Sequence, residues 1–198
     1  MVLDVLARAA AASDALAELS REVARSVVLV RGSRGSAGSG VIWDRPGLVI
    51  TNHHVVHGAQ AELQLADGRR VLGRVVRRAP GLDLAALEVE DDLAPRATVG
   101  DSDALRVGDL VLAVGNPMGE RNAPSVGIVS GAPDDVLRLA ITLRPGNSGG
   151  ALVNARGEVV GIPHLVAGSG LAMAIASRTV ARFLSGDAEK AEGDLFWV

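Results

Sequence analysis

Two textures divide the chain. From residue 2 to about 25, apolar positions recur at helical spacing: Leu16, Leu19 and Val23 share one face, and Asp14, Glu18, Arg21 and Glu22 lie on others. No Gly or Pro interrupts this stretch, which is rich in Ala, Leu, Glu and Arg, so it predicts one amphipathic helix. Ser13 is placed to cap a second segment should the helix break there. From Val27 the pattern becomes short apolar runs separated by turn residues. The runs Val27–Arg31, Val41–Trp43, Leu48–Thr51, Ala61–Leu65, Val71–Val76 and Leu84–Val89 read as strands. A second set follows at Leu110–Val114, Val126–Ser130, Leu137–Leu143, Ala151–Asn154, Val159–Ile162 and Leu171–Ile175. Asp67-Gly68 marks a tight hairpin. The Gly/Ser stretch Gly32 to Gly40 reads as the turn between the first two strands, and Ser177 as the cap of a short helix from Arg178 to Leu184.

About a dozen short strands without intervening helices argue for an all-β protein. They fall into two groups of roughly six, which predicts two six-stranded antiparallel β-barrels divided near residues 95–107. An N-terminal helix precedes them and a short C-terminal helix follows. The expected organisation is a helical arm at 1–25, one barrel-containing domain at 26–186, and a tail at 187–198. The arm is expected to pack on the domain surface, with a role in regulation or in assembly into a homo-oligomer as its functional alternative.

Composition narrows the classes. The chain has 198 residues, enough for one domain with a substantial core, and 48% of them are hydrophobic. Tyr is absent and the aromatics are two Trp and two Phe, so the core must be built from Val, Leu, Ile and Ala. A net charge of −3 without a basic run argues against nucleic acid as a partner. The absence of Cys excludes disulfides and thiolate metal sites. No apolar stretch is long enough to cross a membrane as a helix. No basic region followed by an apolar core opens the chain, which favours a cytoplasmic location.

Three segments carry chemistry. Arg144-Pro145-Gly146-Asn147-Ser148-Gly149-Gly150 lies between apolar strands. Acyl transfer needs a hydroxyl on a sharp turn beside backbone N–H groups aimed at one point, where they hold an oxyanion. Gly146, Asn147 and Ser148 are the candidate oxyanion-hole residues, with the amides of Gly146 and Ser148 the natural pair. The imidazole that a hydroxyl nucleophile needs is offered by His54, in Thr51-Asn52-His53-His54-Val55-Val56, and the carboxylate that orients it by Asp83, set among apolar residues. The order His, Asp, Ser is that of the chymotrypsin class. His53 and His57 have i, i+4 spacing, but the Glu of a His-Glu-x-x-His zinc motif is missing, so neither a metal nor a cofactor is expected.

The sequence also resembles the HtrA/Deg branch of trypsin-like serine proteases. The matching pieces include Gly38-Ser39-Gly40-Val41-Ile42, Ile50-Thr51-Asn52-x-His54-Val55-Val56 and Asp83-Leu84-Ala85-x-Leu87. Val111 to Pro117, Gly127-Ile128-Val129-Ser130, Pro145 to Gly150 and Gly157 to Ile162 continue the match in order. The resemblance implies the two-barrel fold, ATP-independent endopeptidase activity, polypeptide and unfolded-protein substrates, and the same triad.

The departures concern regulation and specificity. The sequence stops where a peptide-binding PDZ domain usually begins, and the stretch after Gly-Ile-Val-Ser is shortened to about Ala132–Val136. Ala140 stands in place of an Asp, Arg144 of an Asn, and Pro163 of an Asn. The specificity pocket is expected from Thr142, Leu143 and Arg144 and from Ile162, Pro163 and His164, with the Pro163 carbonyl free to bind extended substrate. Thr142 occupies the place of the trypsin-type Asp, so cleavage after small or medium aliphatic residues is expected. The alternative is a peptide-binding, chaperone-like module with low or partner-activated turnover.

Overall fold

The computed structural model describes residues 2–90, 93, 95–133, 135–165 and 172–187. Helix α1 (Val2–Ala24) runs without interruption through Ser13, which therefore caps nothing. Twelve strands follow. The first six are β1 (Val27–Arg31), β2 (Ala37–Ile42), β3 (Leu48–Asn52), β4 (Gln60–Gln64), β5 (Arg70–Ala79) and β6 (Leu84–Glu88). They close into an antiparallel barrel in the order β1-β2-β3-β6-β5-β4. The next six are β7 (Leu110–Gly115), β8 (Ala123–Gly131), β9 (Val136–Ala140), β10 (Ala151–Asn154), β11 (Val159–Leu165) and β12 (Ala172–Ala176). These close as β10-β11-β12-β9-β8-β7, and helix α2 (Ser177–Ser185) follows.

Period-two alternation explains both barrels. Val28, Val30, Val49, Ala85 and Leu87 point into the first. Val111, Ala113, Leu152, Val160 and Ala174 point into the second. Their chain neighbours Val27, Leu48, Ile50, Leu84, Leu112, Val114 and Val153 turn outward, yet remain buried. They meet in one cluster at the seam between the barrels, with Trp43 and Phe183. Strands at this seam are covered on both sides, which is why they read as continuous apolar runs. Val23 of α1 joins the seam cluster and Leu19 packs against it, so the helix is partly built into the core.

Three local expectations change. Only the first part of Gly32 to Gly40 turns: a 3-10 turn spans Ser33–Gly35, and Gly38 and Gly40 lie within β2. Their missing side chains let other groups approach, since a Cβ on Gly40 would meet Val49 at 2.8 Å and Val28 at 3.0 Å. Strand β9 stops at Ala140, leaving residues 141–143 outside it. Ser177 is the first residue of α2 and not its cap: its hydroxyl donates to the Gly100 carbonyl at 2.8 Å, tying the helix to the inter-barrel connection. The tail beyond residue 187 lies outside the described residues.

Candidate active site

The pairing of β3 with β6 sets Thr51 opposite Ala85 and Asn52 opposite Leu84. The residue just after β3 and the one just before β6 are therefore neighbours across the ladder. After β3 the chain makes a 3-10 turn over His53–Val55, which carries His54. Before β6 another 3-10 turn, Pro80–Leu82, ends on Asp83 in the left-handed region at φ 51°. Asp is among the few residues that adopt this conformation at small cost. Four hydrogen bonds then join the two segments. The Asp83 carbonyl accepts from the His53 amide at 3.0 Å and from Asn52 Nδ2 at 3.0 Å. Asp83 Oδ1 accepts from the His54 amide at 2.9 Å, and Oδ2 lies 2.7 Å from His54 Nδ1.

Asp83 Oδ2 has a second imidazole on it: His164 Nδ1, from β11, at 2.6 Å. An ionised carboxylate only accepts, so both Nδ1 atoms carry protons toward it. Burial pushes the Asp83 carboxyl up, but the hydrogen bonds from His164 and His54 outweigh burial and hold it well below the usual range. Its neighbour His53 is pushed down by burial and by the Arg78 guanidinium. His164 was expected on the wall of a specificity pocket; it faces the carboxylate instead, because position 164 lies on the same seam-facing side of β11 as Ile162, beside the turn that carries Asp83.

The loop 144–150 is folded as its sequence demands. The Asn147 amide donates to the Arg144 carbonyl at 2.9 Å, closing a turn with Pro145 second and Gly146 third at φ 100°. This is the type II pattern, which wants Pro then Gly at those places. A Cβ on Gly146 would lie 2.5 Å from the Asn116 carbonyl oxygen. The Pro145 carbonyl accepts from the Met118 amide at 3.0 Å. Because the peptide is planar and trans, the Gly146 N–H points the opposite way. Among the described residues, neither the Gly146 nor the Ser148 amide has an intramolecular acceptor. Asn147, expected to share in the oxyanion hole, does not: its amide closes the turn, and its buried side chain accepts from the Arg144 amide at 3.0 Å.

Several residues that sequence reasoning left unassigned brace this loop. The Ser39 hydroxyl donates to the Gly146 carbonyl at 2.7 Å and accepts from the Asn116 amide at 2.8 Å. The Ser39 amide donates to the Ser148 carbonyl at 2.8 Å, and Thr51 Oγ1 donates to the Ser39 carbonyl at 2.6 Å. The motif pieces Gly38-Ser39-Gly40 and Gly115-Asn116-Pro117 were visible, but their roles depend on a contact between barrels. The Gly149 amide donates to the Pro163 carbonyl at 3.0 Å, which takes up one of the two lone pairs expected to be open to substrate. One residue further along β11, His164 meets Asp83. Ser148 is thereby anchored to the strand that touches the His54–Asp83 pair. No hydrogen bond joins Ser148 to the His54 ring among the described residues, as is common before substrate binds.

The remaining pocket candidates separate. Ile162 is fully buried in the seam between the barrels and cannot line a cleft. Pro163 is buried opposite Ala174. Thr142 and Arg144 are exposed, and half-buried Leu143 packs against the second barrel's core.

Two closed six-stranded barrels with a His–Asp pair and a Gly-Asn-Ser-Gly-Gly loop at their seam define the trypsin-like class of serine peptidase domains. The comparisons agree. The model of the trypsin-like peptidase domain matches residues 38–162, and the chain belongs to that family, in its HtrA/DegP branch. A probable periplasmic DegP-like serine endoprotease of Marinomonas sp. is 42% identical over 141 residues, covering 67% of this chain and 30% of that protein. The putative serine protease HhoA of Synechocystis sp. is 42% identical over 140 residues, covering 63% and 36%. A solved HtrA-type protease, AlgW with a tripeptide, superposes with a TM-score of 0.79 at 32% identity, covering 87% of this chain and 63% of that one. The chain thus spans roughly a third of the curated relatives' length. Several of those relatives are named periplasmic, which overturns the expectation of a cytoplasmic location and points outside the cytoplasm.

Proposed function

We propose that this chain is a serine endopeptidase acting through an acyl-enzyme, with His54, Asp83 and Ser148 as its triad. The observation that carries the reading is the anchoring of the Ser148 loop to β11, whose His164 shares the Asp83 carboxylate with His54. In the reaction, Ser148 Oγ attacks the scissile carbonyl while His54 Nε2 takes its proton and then returns it to the leaving amine. Asp83 keeps the His54 proton on Nδ1 and stabilises the imidazolium. The outward amides of Gly146 and Ser148 receive the oxyanion. Substrates are polypeptides, unfolded ones foremost, because the scissile carbonyl must reach Ser148 and the neighbouring amides as part of an extended segment, which a folded chain seldom presents.

Labelling with a fluorophosphonate followed by intact mass tests the nucleophile: one adduct is expected, absent in Ser148→Ala. Ser148→Ala and His54→Ala should each lower peptide hydrolysis on the order of 10⁴–10⁶-fold. Near-parental cleavage by either variant would refute the triad.

A further inference from the structure

We infer that His54, Asp83 and His164 form an inhibitory zinc site. The reading of the chain as a serine peptidase supplies the inhibition; the binding itself depends only on the geometry. One donor atom from each residue lies within 4.8 Å of the other two. Asp83 Oδ2 sits 2.7 Å from His54 Nδ1 and 2.6 Å from His164 Nδ1. The two imidazoles stand edge to face at 78°, with centroids 5.7 Å apart, converging on the same oxygen.

Two imidazoles and one carboxylate with an open fourth position make a familiar zinc donor set. Zinc at about 2.0–2.2 Å from each donor would space the donors roughly 3.3–3.5 Å apart. Small side-chain rotations that part each imidazole from the carboxylate accomplish this. The His164 and Asp83 side chains are only 12% and 10% exposed, whereas His54 is 47% exposed and gives the ion its way in. The His54 backbone amide on Asp83 Oδ1 orients the carboxylate from behind.

The chemistry of inhibition follows from the tautomer. Zinc on Nδ1 of His54 and of His164 displaces both protons; each is taken up at the ring's own Nε2 through water, so both rings stay neutral. A ring protonated at Nε2 cannot accept the Ser148 proton. The same ion also takes Asp83 away from its role. Of the three donors only His164 lies outside the proposed triad, so the site depends on the residue at position 164.

Calorimetric titration of Zn²⁺ into the full chain carrying Ser148→Ala should show one micromolar site. His164→Ala should weaken it at least about tenfold, and His57→Ala should not change it. His164→Gln keeps a donor for Asp83 and carries the test if the alanine variant unfolds. In the parent, Zn²⁺ should inhibit peptide hydrolysis and EDTA should restore it, with the zinc concentration for half-inhibition raised by the same factor in the His164 variant, relative to its own zinc-free rate. Absence of binding, binding indifferent to His164, or binding without inhibition of an active enzyme would each overturn the inference. A chain inactive with and without zinc would refute the peptidase reading instead, and the calorimetry would still decide the site.

Discussion

Asp83 concentrates the residue-scale physics of this protein. It occupies a left-handed conformation, is nearly buried, and satisfies two imidazoles and a backbone amide at once. Asp83→Asn should lower turnover about 10⁴-fold, because an amide can hold the His54 ring in the wrong tautomer. Its carboxyl is held below the usual range in the fold. The unfolded chain therefore binds the proton first as pH falls below about 4. The stabilisation is complete above that pH and is lost as pH falls through the lowered folded value. Urea unfolding of parent and Asp83→Asn should converge as pH drops below about 4; a gap that widens there would contradict the arrangement. At Gly146, φ of 100° and the Asn116 carbonyl leave no room for a methyl. Gly146→Ala should cost about 1–3 kcal/mol of stability and, by turning an oxyanion donor, about 10²–10³-fold in kcat. An unimpaired Gly146→Ala enzyme would show that its amide is not a donor.

At the element scale, α1 is less separable than its amphipathic pattern suggests. Residues 4–15 are exposed, but Val23 is buried in the seam cluster and Leu19 packs there. We propose that the folding unit begins inside the helix, not after it. Removing residues 2–14 should leave the thermal midpoint nearly unchanged. Val23→Ala should cost about 1–3 kcal/mol, the range for truncating a buried aliphatic side chain. Melting curves check both; a Val23→Ala protein as stable as the parent would place the helix outside the core. Strand runs such as Val27–Arg31 and Ala151–Asn154 were legible in the sequence because their apolar periodicity is local. The ends of β2, β8 and β9 were not, because glycines and polar residues extend or stop a strand according to what lies opposite.

At the scale of the whole molecule, the site exists only where the two barrels meet. His54 and Asp83 come from the first and Ser148 and His164 from the second. Neither Thr142, in the place of the trypsin-type Asp, nor Leu143 carries a carboxylate, so we expect a substrate Lys or Arg to gain no ion pair from this part of the loop. Cleavage-site profiling on a denatured protein mixture should show broad preference for Val, Ala or Leu before the cut. Neighbouring aliphatic residues should differ by only about 1–3 kcal/mol per methylene. A dominant Lys/Arg signature would sink the assignment.

What the sequence determined by itself was everything carried by short-range pattern: a dozen strands in two groups, a helix at each end, and the His, Asp, Ser order. It also determined the Pro-Gly turn that exposes amides beside Ser148, since Pro and Gly dictate their own backbone angles. Tertiary structure alone decided which side chains those elements present to one another. His164 reads as a wall residue until β11 is registered against the Asp83 turn; Ile162, two positions earlier, reads as a wall residue until the barrels close over it. Ser39 and Asn116 are motif residues without a role until the barrels meet and the Ser39 hydroxyl bridges Asn116 and the Ser148 loop. Each of these contacts joins residues far apart in the chain, and their distance is fixed by strand register and barrel closure, which no local window of sequence contains.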